Sequence, residues 1–214
     1  MSLSTAAGLR LAQARDRVLA AARLGKARRI LAHEDGIAAV EFAMILPVLL
    51  VLWIGGVEVT SALSVDRRLN NFASSMGDLV SRSKAISFAQ LEDIFDLADA
   101  ALFPYDEAVV SVRVTAVNVL ANGSTQVAWS RARTTTAYAK DTNVNDAVPE
   151  SLRTPAATDS QLIMAEVFYT YRPAVGYVIT SDIDLEERAY FVPRLSDNVK
   201  ICPTDDAASC VDSI

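Results

Sequence analysis

The hydrophobic pattern divides the chain sharply. From Ile37 to Val57 the sequence IAAVEFAMILPVLLVLWIGGV is apolar all round a helix, and Glu41 is its only charge. As a helix this run rises about 31 Å, close to the ~30 Å hydrocarbon core of a bilayer. It reads as a membrane-spanning helix. The alternative, a buried helix of a soluble protein, is poorly matched because a domain of this size has no use for a helix apolar on every side. Pro47 would loosen the helix, which membrane helices tolerate. Gly55-Gly56 marks a soft spot near its far end, and Trp53 stands where an interfacial aromatic belongs.

Past Val57 the apolar positions thin to a stripe. Val65, Leu69, Phe72, Met76 and Val80 recur at spacings of four and three, with Arg67, Arg68, Asn70 and Asn71 off the stripe. The helix is therefore expected to continue to about Ser81, half in lipid and half against a domain. A membrane anchor followed by a separate short helix is the alternative. A second helix is predicted from Ser87, which forms a capping box with Gln90. Phe88, Leu91, Phe95, Ala98 and Leu102 make one face, Glu92, Asp96 and Asp99 a solvated neighbouring face, and Pro104 ends it.

The remainder reads as antiparallel sheet. Val110, Val112 and Val114 alternate with Ser111, Arg113 and Thr115; the apolar phase then shifts to Val117 and Val119, which predicts a bulge near Ala116. Asn122-Gly123 is a hairpin signal, with a return through Val127 and Trp129. Asn122-Gly123-Ser124 also matches a glycosylation sequon, but the turn is the better reading. Residues 131–160 form a long excursion with a helical turn around Val148–Leu152. Strands follow at about 161–171 and 183–192, with Tyr169 and Tyr171 on the core face beside Val167 and Ile163.

Charge distribution sets the orientation. The chain of 214 residues carries a net charge of −6, yet residues 1–36 hold seven Lys/Arg against three acids, with Arg23, Lys26, Arg28 and Arg29 just before the span. A basic head before an apolar span stays cytoplasmic, which puts the acidic body outside. The head is either an amphipathic helix on anionic lipid or a solvated leader. A cleaved secretory signal, with Thr60-Ser61-Ala62 as its site, competes poorly. Its n-region and apolar run are too long, and the run holds a carboxylate.

The same counts narrow the chemistry. The only histidine is His33, in the basic head. A Ser-His-Asp or Cys-His site in the body is excluded, as is a His-ligated metal there. No phosphate-binding glycine motif occurs. The acidic balance argues against a nucleic-acid partner. No cofactor, no metal site and no catalytic residue is expected. Cys202 and Cys210, isolated in the tail and on an oxidising side, are expected to form a disulfide; free thiols are the alternative.

Glu41 is the informative residue, because a carboxylate at the centre of a span costs on the order of 3 kcal/mol and less near the interface. Snorkelling to the headgroups is its bland explanation. Its neighbourhood, Asp35-Gly36-Ile37-Ala38-Ala39-Val40-Glu41-Phe42-Ala43, resembles the processing site of type IV prepilins. More narrowly it resembles the TadE/TadG-like minor pilins (pseudopilins) of the Flp, or tight adherence, type IVb pilus system. In that family a basic leader ends in Gly, a membrane aspartyl peptidase cuts after it, the fifth mature residue is Glu and the sixth is often aromatic. Gly36, Glu41 and Phe42 match, and the run continues as AMILPVLL. Such proteins also tend to carry a Glu near the end of the span, a place that Glu58 fills. The resemblance covers about residues 28–72. A weaker match lies further on, in EVFYTYRP (Glu166–Pro173), a short apolar link at Val175–Ile179 and RAYFVPR (Arg188–Arg194). The 36-residue leader is longer than the family pattern, which allows a start downstream of Met1, and Ile37 is larger than the Ala often found there.

The resemblance implies a pilin-like α+β protein. Residues 1–36 would be the basic cytoplasmic leader, 37–58 the transmembrane helix, 59–103 a helical stalk and second helix, and 104–214 an extracytoplasmic antiparallel sheet domain with a C-terminal disulfide loop. It would be a single-pass protein of the bacterial inner membrane, N-terminus inside, whose body is periplasmic or extracellular. The peptidase site would be Gly36-Ile37, since Gly lets the backbone enter an extended active site without a Cβ. Glu41 and Phe42 would serve subunit assembly, the Glu41 carboxylate pairing with a neighbour's new α-ammonium at Ile37. The partners implied are the membrane, a prepilin peptidase, other pilus subunits and the assembly machinery. Two other readings stay open: a signal-anchored periplasmic enzyme, which without a body histidine would need carboxylate pairs or a Ser-Lys device, and a signal-anchored binding or signalling module.

Overall fold

A computed structural model describes residues 35–102, 110–153, 160–173 and 176–211. The readings made on residues 1–34 of the basic leader with His33, on Pro104 and Val175, and on the side chains of Asp99 and Leu102 lie outside what is described. Two compact units are present, Met1–Trp53 and Ile54–Ile214.

In the first unit, helix α1 (Asp35–Ser81) begins, and Ile37 through Trp53 is exposed at every position. Pro47 sits within the helix. Among the described residues, side chains as apolar as Ile45, Leu49, Leu52 and Trp53 stay 49–69% exposed. Among the described residues α1 is the one helix long and apolar enough to cross a membrane, and its apolar window buries nothing internally.

In the second unit α1 runs on from Ile54 and changes character. Val65, Leu69, Phe72, Met76 and Val80, the stripe predicted by periodicity, are all buried, together with Ala73. Strand β1 (Ala85–Ser87) leads into helix α2 (Phe88–Leu102). The capping box forms as expected: the Gln90 N–H donates to Ser87 Oγ at 3.2 Å and the Ser87 N–H to Gln90 Oε1 at 2.9 Å. Leu91, Phe95 and Ala98 point into the same core.

The sheet comprises β2 (Val110–Val119), β3 (Thr125–Arg133), β4 (Ser160–Tyr171) and β5 (Ile183–Phe191), antiparallel in the order β3-β2-β4-β5. Its two faces explain the apolar phase shift. Val110, Val112, Val114 and Ala116 face the helices with Ile163, Ala165, Val167, Tyr169 and Tyr171. Val117 and Val119 face the other way, into a second cluster with Leu162, Met164, Val144, Ala147 and Val148. The 134–153 excursion folds over that side, with a 3-10 turn at Glu150–Leu152.

A bulge does fall beside Ala116, but the strand that carries it differs from the expectation. Ala116 pairs with Trp129 and Val117 with Val127, so the extra residue is Ala128 on β3. The pairing of β2 with β4 runs unbroken from Val110 to Val119. Ala128 and Trp129 therefore both turn to the helix-side core.

A small parallel pair, β1 with β6 (Lys200–Cys202), has no signal in the sequence; three residues each are too few to show a period. It is anchored through Val199, whose carbonyl accepts from Trp129 Nε1 at 2.8 Å and whose N–H donates to Gln161 Oε1 at 2.7 Å.

Candidate functional site

The proposed processing and assembly residues lie at the start of α1. The helix already includes Asp35, so the Gly36-Ile37 peptide is in its first turn, and an extended-substrate peptidase would have to unwind that turn. Ile37 and Phe42 are 61% and 60% exposed, and Glu41 is exposed. Ile37 and Glu41 are four residues apart and so share a helix face. Phe42, one residue on, is turned away from it. Among the described residues no hydrogen-bond or ion-pair partner meets the Glu41 carboxylate.

Glu58, by contrast, is held. It is 3% exposed. Its Oε1 accepts from the Tyr177 N–H at 3.0 Å, and its Oε2 from the N–H groups of Val178 at 3.1 Å and Ile179 at 2.8 Å. Three successive amides converge on one carboxylate, a backbone nest. The chain enters it through Gly176 at φ +64°, a left-handed conformation that costs glycine nothing. Val178 lies against α1 one turn earlier, where Gly55 leaves room: a Cβ there would come within 3.2 Å of Val178 Cγ2. The Glu near the end of the span and the short apolar link between β4 and β5 are thus two halves of one contact.

Downstream of Glu58, the hydroxyls of Thr60, Ser61 and Ser64 donate to the carbonyls of Gly56, Val57 and Thr60 at 2.7, 2.9 and 2.7 Å, so these donors need no water. Thr60-Ser61-Ala62 is thus continuous helix. Cleavage there would also take Glu58 away from the loop that binds it.

The face of the sheet turned away from the helices carries a buried charge ladder. Arg113, Glu166 and Arg188 stand in register on β2, β4 and β5. Glu166 is fully buried, with Arg113 Nε 2.6 Å from its Oε2 and Arg188 Nε 3.2 Å from its Oε1. Arg113 also donates to Tyr138 Oη at 2.8 Å and to the Thr136 carbonyl at 3.0 Å, and lies over the Tyr138 ring. Burial alone would depress the Arg113 guanidinium, but the hydrogen bond and charge of Glu166 outweigh it and hold the group above its ordinary range. The ladder pins the excursion to the sheet.

Of the acidic stripe on α2, Asp96 pairs with Arg133 at 2.6 Å and Glu92 lies 3.8 Å from Arg131. Cys202 and Cys210 are disulfide-bonded, and Ile201 and Val211 bridge beside them, closing the tail loop. Among the described residues no group of three His, Cys, Asp or Glu is placed to hold a metal ion. Two features escape a reading of the sequence. Gly77 lies where α1 meets the sheet, and a Cβ there would stand 2.5 Å from Phe191 Cδ2 and 3.3 Å from Ala165 Cβ; its only signal is a glycine four residues after Ala73 on the apolar side. Glu166 looks like an ordinary solvent-side strand residue.

Residues 36–77 match the family model described as TadE-like protein. The match opens on Gly36 and closes on Gly77, taking in Glu41, Glu58 and the buried stripe of α1 as far as Met76. The chain therefore carries a TadE-like domain, consistent with the TadE-like pilins of the Flp/Tad system, and this supports a Tad-pilus-associated, single-pass membrane protein. No curated protein and no solved structure matches the chain.

Proposed function

We propose that this chain is a minor pilin, or pseudopilin, of a Tad-type pilus. It sits in the bacterial inner membrane with its N-terminus inside, is cut between Gly36 and Ile37 by a prepilin peptidase, and takes part in filament assembly as a structural subunit without catalysis of its own. The observation that carries this reading is the division of α1. One stretch is apolar and uncovered, and the other is buried in a sheet domain, with the TadE-like match spanning both.

The role of Glu41 follows from helix geometry. After the cut, the α-ammonium of Ile37 lies on the same helix face as Glu41, in a low-dielectric layer. There each charge is costly alone, and a pair across neighbouring subunits offsets the cost. Glu58 cannot take this part, because its oxygens are committed to the amides of residues 177–179.

The test is a Glu41→Ala strain. It should yield processed protein at wild-type abundance and lose piliation and surface adherence. Normal piliation in that strain would return Glu41 to a snorkelling residue and favour a membrane-anchored binding or signalling module.

A further inference from the structure

We propose that the segment Gly176–Ile179 is a second membrane-contacting element, whose Tyr177 and Val178 side chains enter the headgroup boundary of the bilayer at the level where α1 leaves it. This rests on α1 crossing the membrane and is independent of any role in a pilus.

Position comes first. The apolar run of α1 ends at Val57, and the segment is fixed to α1 at Gly55 and Glu58. Whatever layer surrounds residues 55–58 therefore surrounds the segment as well.

The second argument is the state of its backbone. Irregular chain is excluded from lipid chiefly by its unpaired N–H and C=O groups. Here the amides of Tyr177, Val178 and Ile179 are all taken by the Glu58 carboxylate. Tyr177 is 65% exposed and Val178 45%. A phenol on an apolar ring suits the headgroup layer.

Composition agrees. Pro173–Ser181 contains no charged residue. The nearest charges along the chain, Arg172 and Asp182, pair with each other at 3.2 Å across the base of the connection. On α1 the residues flanking Glu58, Val57 and Val59, are exposed and apolar. A lipid surface is favoured over a second protein because Gly55 and Glu58, which hold the segment, lie at the end of the apolar run of α1.

The experiment uses full-length protein in nanodiscs of phosphatidylethanolamine and phosphatidylglycerol. Tyr177→Cys is labelled with the environment-sensitive fluorophore NBD, and nitroxide-bearing lipids report depth. Asn122→Cys, at the β2-β3 turn on the opposite end of the sheet, is the aqueous reference. The native cysteines are bonded, so each variant has one reactive thiol; intact mass checks that the Cys202–Cys210 bond is retained. If Tyr177→Cys does not retain it, Val178→Cys is the reporter. The proposal predicts a blue-shifted emission at position 177, quenched severalfold more by a headgroup nitroxide than the position-122 label. It is overturned if the two labels match in emission and quenching, or if the position-177 label shifts only when further copies of the protein crowd the disc, which would make the segment a protein contact.

Discussion

The Ile179 N–H donates to Glu58 Oε2 at 2.8 Å across 121 residues of sequence. With the Tyr177 and Val178 amides beside it, this contact ties the last turn of the apolar run to the connection between β4 and β5. The carboxylate has both oxygens engaged by donors, so an isosteric amide serves it badly. Glu58→Gln keeps one acceptor and aims an NH2 group at N–H donors, and Glu58→Ala removes both acceptors. Both variants are expected to free the 172–182 connection, read as faster cleavage there in limited proteolysis, with Glu58→Ala the faster. Wild-type cleavage rates in both would show that the segment is held by Val178 packing alone.

The ladder of Arg113, Glu166 and Arg188 predicts strong non-additivity. Removing Glu166 alone leaves the largely buried Arg113 guanidinium with only the neutral Tyr138 hydroxyl and Thr136 carbonyl, while Arg188 keeps Glu186; stranding a buried charge in this way costs about 3–5 kcal/mol. Glu166→Met should therefore lower the thermal midpoint of the full-length protein more than the triple change to Met at all three positions. A triple variant less stable than the single one would mean that the ladder contributes net stability.

Gly77 predicts a clash with an identifiable partner. Gly77→Val should destabilise by about 1–3 kcal/mol, because its side chain meets Phe191 and Ala165 in a packed core. Phe191→Ala in the same molecule should recover part of that loss. Additive effects of the two changes would place the strain elsewhere.

Much of this architecture is legible in the sequence because its signals are local. The stripe Val65–Val80, the Ser87/Gln90 box, the Asn122-Gly123 turn and the alternation at the start of β2 each declare themselves within one or two turns or pleats. What is not legible is non-local. Glu58 finds backbone amides, which leave no trace in residue type. Glu166 is buried by register between strands, so a charge that reads as solvent-facing is paired on both sides. The bulge shows the same limit: the phase shift at Ala116 is visible in β2, but its cause is the second apolar cluster, and the inserted residue, Ala128, lies on the partner strand. Of the proposed site residues, Gly36, Glu41 and Phe42 are recognised through resemblance, and the fold adds only that Glu41 and Phe42 are exposed near the head of α1.

The Cys202–Cys210 bond bears on topology. Closing so short a loop contributes roughly 2–3 kcal/mol in the chain-entropy model. The bond should be present in protein from wild-type cells and missing when the apolar run 37–53 is deleted so that the body stays in the cytoplasm. Peptide mapping under non-reducing conditions checks both. Two alkylatable thiols in the wild-type protein would contradict both the bond and the orientation.

The central claim is that the chain is used after a cut at Gly36-Ile37, and the most direct measurement is the intact mass and N-terminal peptide of the protein isolated from cells that make pili. The account predicts a mature chain beginning at Ile37, and a Gly36→Val variant that keeps its leader. Protein from piliated cells that still begins upstream of Gly36 would contradict it.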